Sequence, residues 1–352
     1  MKPFFKWSGG KRKEIPLVEP LIPENYDTFY EPFLGAGALW LHLEPKKSVV
    51  NDNYDEVINF YKVLQKDTDK FIEKINSLKT SYVSEMKSVV RDKGVEESIT
   101  KLNTELDLLD SPTLRKDLKS EISKLKKIKV DCEDKNKTIQ DVVNCFSSWE
   151  NELKERRKEI KDLKEELNKD IYPIADKYYY HYRDNNFITD FDKAVRFYML
   201  RQLSFSGMLR FDADGNFNIP YGWYDSFKGI EQEAEKIKEV FGNTTFLCTD
   251  WEKSLSNATK NDFVFLDPPY TTRTFSTYHP DGDFGKDKQI KLANWFKSKK
   301  SQALIIINKD DFTEALYKDY IVDIYDYEYS VKYRDRIGKN ELKIKHLLAK
   351  NY

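Results

Sequence analysis

The chain has 352 residues, the length of about two average domains or of one domain with a large elaboration. Its 59 basic and 60 acidic residues sum to a formal charge of −1, which gives no global sign of a polyanionic partner. Membrane, collagenous and wholly disordered classes are excluded, because 39% of the residues are hydrophobic yet no apolar run nears the ~20 that span a bilayer.

The start, MKPFFKWSGGKRK, lacks the apolar centre of a signal peptide and carries five basic residues without an acid. Next, FYEPFLGAGALWLHL (29–43) opens as a buried strand and passes through Phe33-Leu34-Gly35-Ala36-Gly37 into a helix. Glycines there permit a tight turn and let backbone N–H groups approach a ligand, although an ordinary turn would read the same. SVVNDN (48–53) is a second strand ending on Asp52. An acid at that point suits a ribose diol, or alternatively the N-cap of the helix that DEVINFYKVLQ (55–65) predicts.

From Val83 to Cys145 there is no aromatic residue, and between Gly94 and Gly207 no glycine. Leu114, Leu118, Ile122, Leu125 and Ile128 form one apolar stripe; Leu153, Ile160, Leu163, Leu167 and Ile174 form another. That spacing predicts amphipathic helices in an antiparallel hairpin or small bundle. FSGMLRFDADGNFNIPYG (205–222) alternates aromatics around Asp214-Gly215, the signal of a hairpin with a two-residue turn. Strand patterns resume with TTFLC (244–248), DFVFLDPPY (262–270) and QALIIIN (302–308), with a helix over 289–300. The helical middle therefore interrupts one open α/β sheet whose ligands belong at the strand ends. Cys132, Cys145 and Cys248 show no CxxC spacing, which argues for a reducing compartment and against structural zinc.

Asp267-Pro268-Pro269-Tyr270 follows a strand and carries the strongest chemical signal. The prolines fix the backbone and remove two donors, so a carboxylate, a free carbonyl and an aromatic ring project together. Such a set suits an exocyclic amino group on a planar ring: Asp267 and the Pro268 carbonyl accept its two protons, and Tyr270 stacks on the ring face.

With KWSGGK (6–11), EPFLGAG (31–37), NDN (51–53), FSGMLRFDADGNFNIPYG, DPPY and YRDRIGKNELKIKHLLAKNY (333–352) in this order, the chain resembles the Dam-type (D12 class) N6-adenine-specific DNA methyltransferases. The likeness covers roughly residues 1–65 and 178–352. It implies a Rossmann-like, S-adenosylmethionine-dependent methyltransferase sheet (1–65 and 240–352) with an inserted, mostly helical target-recognition region (66–239). Within that region lie the helical elaboration 83–172 and the DNA-contacting hairpin 205–222. Carried over residue by residue, the resemblance assigns the cofactor to Trp7, Lys11, Phe33, Gly35, Gly37, Asp52, Asp250, Trp251 and Asp267. It assigns catalysis to Asp267, Pro268, Pro269 and Tyr270, and DNA contact to Met208, Arg210, Asp212 and Pro220. Asp212 departs from the Asn-like polarity common in the family at that position, so the family's usual GATC target is not assumed.

The implied reaction is direct in-line methyl transfer to N6 of a flipped-out adenine in double-stranded DNA, with no metal. The alternatives are methylation of another amino group (cytosine N4 or RNA adenine) and a non-catalytic interaction protein on a methyltransferase fold. The expected setting is the cytoplasm of a prokaryote or a viral host. There the helical insertion could meet a cognate restriction endonuclease or another protein. Basic residues recur at 329–350, seven against two acids, so both ends of the catalytic region offer charge for phosphates.

Overall fold

In the computed structural model, strands β1 (Phe29–Glu31), β2 (Ser48–Asn51), β3 (Thr244–Leu247), β4 (Phe263–Leu266) and β5 (Gln302–Asn308) run parallel. Strands β6 (Ile321–Glu328) and β7 (Lys343–Lys350) complete one sheet, ordered β3-β2-β1-β4-β5-β7-β6, with β7 antiparallel to both β5 and β6. The structure describes residues 1–7, 9–93, 101, 104, 133–207, 209–212, 214–222, 224, 226–230, 234–270, 284–328 and 343–352. The expected α/β, Rossmann-like class holds. β4 is buried throughout and β5 at every position after Gln302, which is why both read as unbroken apolar runs: helices cover both faces.

Helix α1 (Ala38–Leu43) begins at Gly37, and α2 (Asp55–Lys66) carries Asp55 and Glu56 at its start and Lys66 at its end, complementing the helix dipole. Their apolar sides build an aromatic layer on the sheet: Trp40 lies 5.0 Å from Phe241, and Tyr61 stacks on Phe246 at 5.6 Å. The opposite face packs Val264, Leu266 and Ile305 against Leu292 and Phe296 of the helix Lys286–Lys297. That helix starts a turn before the predicted 289, just after Gly285.

Packing divides the chain into one unit of Met1–Thr80 with Tyr178–Tyr352 and a second of Ser81–Lys177. In the first, the helix Asp190–Leu203 lies against α2, with Tyr198 stacked on Phe60 at 5.9 Å and Arg196 paired with Glu56 at 2.8 Å. In the second, the helix Glu133–Ala175 buries Leu153, Ile160 and Ile174 of the predicted stripe, and Lys177 pairs with Glu85 at 2.6 Å. The stripe over 114–128 and the side chains of Leu163 and Leu167 lie outside the described residues. Among the described residues no helix is long and apolar enough to cross a membrane.

Candidate active site

The strand order reverses beside β1, where β2 and β3 lie to one side and β4 and β5 to the other. Such a switch point leaves a crevice at the carboxyl ends of the strands. Here the crevice is a cavity of about 220 Å3. It gathers Trp7, Lys11, Phe33, Gly35, Asp52, Asp250, Trp251, Asp267, Pro268, Pro269 and Tyr270, so every sequence-predicted catalytic and cofactor residue except Gly37 lines it.

The loop after β1 is held by short hydrogen bonds. Leu34 N donates to Asn51 O at 2.8 Å, and Gly35 N donates to Asp52 Oδ2 at 2.8 Å. Asp52 Oδ1 accepts from Tyr54 N at 3.0 Å. Asp52 thus ties the glycine loop to the entrance of α2, whose N-cap is Tyr54, while its carboxylate lines the cleft. Gly35 has φ +50°, and a Cβ there would meet Trp7 Nε1 at 2.6 Å. Gly37 has φ +60° and caps α1, and a Cβ there would meet Trp40 at 2.8 Å. Gly35→Ala is expected to displace Trp7 and to cost about 1–2 kcal/mol from its left-handed backbone alone. The midpoint of thermal unfolding should fall measurably.

At the end of β4, Asp267 Oδ1 lies 2.8 Å from Lys11 Nζ, with only 5% of the lysine side chain exposed. The same ammonium donates to Gly9 O at 2.6 Å and sits 5.2 Å from the centre of the Tyr270 ring. Burial pushes the Asp267 pKa up, and Lys11 acts against that rise. Gln289, fully buried, donates to Pro269 O at 3.1 Å. The Pro268 carbonyl receives no donor among the described residues. Glu31, at the end of β1, accepts from Trp40 N at 3.1 Å, and burial, with Asp267 and Asp52 nearby, raises its pKa well above the usual carboxylate range. The cleft wall therefore sets a buried acid whose ionisation is disfavoured beside a lysine-paired carboxylate.

Asp250 caps the turn Trp251–Ser254 by accepting from Glu252 N at 2.9 Å. Trp251 is buried, with its ring 6.5 Å from that of Phe33. The segment over 205–222 is anchored by isolated bridges, Ser204–Tyr221 and Phe211–Phe217, and its turn is wider than the predicted Asp214-Gly215 pair. Asp212 N donates to Asn216 O, while Asp212 Oδ1 accepts from both Asp214 N and Asn216 N. A carboxylate that collects the N–H groups of residues 214 and 216 organises a turn wider than the Asp214-Gly215 pair, with Gly215 at φ +81°. The exposed Arg210 donates through Nε and Nη2 to Asn218 O at 2.9 and 2.6 Å. Pro220 O accepts from Phe205 N at 2.9 Å, and Met208 lies outside the described residues. Leu209 lines the cleft and Phe211 lies 6.3 Å from Tyr54, so the root of the hairpin borders the crevice.

Three residues that the motifs do not single out also shape the site. Asn51, 1% exposed, donates to Pro32 O and Thr249 O and accepts from Thr249 N, stapling the ends of β1, β2 and β3. Arg201, 2% exposed, lies 5.2 Å over the Trp7 ring and donates to Lys6 O. Glu31 is the third. Asn51 and Glu31 sit inside quoted motifs at strand ends, which was the available signal; Arg201 has none.

A family model for D12 class N6 adenine-specific DNA methyltransferases matches residues 7–128 and 136–333. The chain is 28% identical to a type II methyltransferase, M.CviBI, of Paramecium bursaria Chlorella virus NC1A, over 100% of both chains. It is 26% identical to the type II methyltransferase M1.LlaDCHI of Lactococcus lactis subsp. cremoris, over 91% of this chain and 86% of the relative. A DNA adenine methylase of Haemophilus influenzae is 22% identical, over 90% and 82% respectively.

Proposed function

The chain belongs to the D12 class N6 adenine-specific DNA methyltransferases, and from that premise we propose that its cleft holds S-adenosylmethionine beside an adenine flipped out of double-stranded DNA. The observation that carries this reading is the Asp267 carboxylate, lysine-paired and opening on the same cavity as Pro268 and Tyr270. The glycine loop supports the cofactor assignment: Gly35 and Phe33 line the cavity, and the absence of a Cβ at Gly35 lets the Trp7 ring, which lines it too, pack directly on the loop. Trp7, Phe33, Gly35, Asp52, Asp250 and Trp251 would hold S-adenosylmethionine, with Lys11 and Asp267 between it and the target base. When bound, S-adenosylmethionine supplies an electrophilic sulfonium methyl group.

Adenine N6 is a poor nucleophile because its lone pair is delocalised into the ring. Asp267 and the Pro268 carbonyl accept hydrogen bonds from its two N–H groups, which favours a pyramidal nitrogen and returns the pair to it; as the N–methyl bond forms, N6 sheds one proton, on the side that faces Asp267. Tyr270 stacks on the extruded base and fixes its plane. The acceleration comes from orientation and from acceptors already in place, with no covalent enzyme intermediate.

Target recognition is assigned to 66–239, with the helical stretch 83–172 as its elaboration and a candidate docking surface for a restriction endonuclease. Arg210 is the proposed base or phosphate contact, since a guanidinium can donate in pairs. Asp212 supports the turn that presents Arg210. The test is expression in a host lacking adenine methylation, followed by sequencing of modified bases. N6-methyladenine in one sequence context is expected, and Arg210→Ala should relax that context. Modified cytosine, modification confined to RNA, or no modification would overturn the reading.

A further inference from the structure

Behind the lysine–carboxylate pair lies a second buried charge, contributed by residues 332 positions apart in sequence. Glu14 (2% exposed) follows the turn that carries Lys11, its N–H donating to Lys11 O at 2.8 Å. Its Oε1 accepts from Tyr325 OH of β6 at 2.5 Å and lies 2.6 Å from Nδ1 of His346 on β7, which is fully buried. Tyr325 and His346 are cross-strand partners, so the β6–β7 pair delivers both groups to one carboxylate oxygen. Tyr327 stacks on the imidazole at 4.6 Å, and the Tyr270 ring meets it edge-on at 5.4 Å.

A buried carboxylate hydrogen-bonded to an imidazole is weak evidence for stability, because well-packed apolar residues of similar volume commonly serve as well or better. The pair's neighbours suggest another use. Glu14 acts electrostatically on Lys11, which grips Asp267, while His346 touches Tyr270. Both arms of the adenine site therefore end on one network. The His346 hydrogen bond and Lys11 hold the Glu14 pKa below its usual value despite burial, which keeps the carboxylate ionised.

We propose that Glu14 and His346 are positioning residues for methyl transfer, fixing the acceptor carboxylate through Lys11 and the stacking ring through direct contact with Tyr270. The inference rests on the reading of Asp267 as the N6 acceptor. Two opposed influences make it testable: His346 lowers the Asp267 pKa, whereas Glu14 raises it. The other titratable groups facing these two, Lys11, Glu31, Tyr270, Tyr325 and Tyr327, stay in place in both variants.

The experiment measures kcat, KM for S-adenosylmethionine and the pH profile of the full chain on unmethylated duplex DNA, with thermal unfolding alongside. His346→Leu is expected to lower kcat roughly 10–100-fold, the scale of a small misplacement of reacting groups, with KM changed less than threefold. Its acid limb should move to higher pH. Glu14→Gln should also lower kcat but move the acid limb to lower pH. His346→Asn, which keeps a donor for Glu14, should recover most of the lost kcat. Unchanged kcat in both His346→Leu and Glu14→Gln, while Asp267→Ala is inactive, would overturn the positioning role alone. So would losses that track unfolding, with no shift of the limbs and no recovery in His346→Asn. An active Asp267→Ala would overturn the reading of Asp267 beneath it.

Discussion

Replacing Asp267 by alanine is expected to lower methyl transfer about 10³-fold, the upper end of what one preorganised polar group contributes to a transition state. The loss has two sources that separate experimentally. One is chemical: N6 keeps the Pro268 acceptor but loses its partner, so one proton stays uncompensated and the lone pair remains in the ring. The other is structural: Lys11, 5% exposed, is left without the carboxylate 2.8 Å away. Breaking a buried pair by removing one member costs about 3–5 kcal/mol. The low end is expected here because the Asp267 side chain is 20% exposed and water can reach the gap. Lys11→Met combined with Asp267→Ala removes the buried cation as well, so its melting temperature should recover while activity stays lost. Asp267→Asn keeps an oxygen acceptor and should retain activity between the two, about 10²-fold below wild type. Activity regained in the double variant would mean that Asp267 serves only to neutralise Lys11.

The parts of the site that were legible in the sequence are those set by local backbone chemistry. QALIIIN announces a strand buried on both faces because no polar residue stands between Gln302 and Asn308. The loop at Gly35 and Gly37 is legible because left-handed backbone selects glycine, and DPPY because two prolines leave few conformations. What escaped depends on partners distant in sequence. Strands β6 and β7 escape the buried-strand pattern, since IVDIYDYE alternates polar and apolar residues along an antiparallel pair. His346 carries no signal of its own because its meaning depends on Glu14, and Arg201 none because its ring partner is Trp7. The turn at 212–216 is wider than predicted because the Asp212 side chain, invisible to turn statistics on Asp-Gly, collects the backbone N–H groups. Trp251 shows the remaining difficulty: a ring that lines the cleft is also packed in the core, and sequence alone gives both roles one appearance.

Removing the cation and leaving the carboxylate gives a different signature. Lys11→Met is expected to lower kcat near neutral pH by about 10²-fold, with the deficit shrinking as pH rises. The Asp267 pKa is already raised by burial, and Lys11 is the first influence opposing that rise. Without the ammonium the rise continues, reinforced by the Glu14 carboxylate. A protonated Asp267 carries a hydrogen on one oxygen and meets the adenine amino group as a poorer acceptor. Activity in the variant should therefore climb with pH across a range where the wild type is flat. Stability should move the opposite way. A carboxyl whose pKa is raised by folding binds more protons in the native state, so native stability falls as pH rises above the unfolded value. Lys11→Met steepens that fall, and denaturant unfolding should show the variant losing more stability than the wild type does as pH rises above the ordinary carboxylate range. Rising activity with falling stability over one pH interval identifies a single buried acid as the group behind both. A variant whose activity and stability fell together at every pH would instead have lost Lys11 as packing, through its contacts with Gly9 and Tyr270.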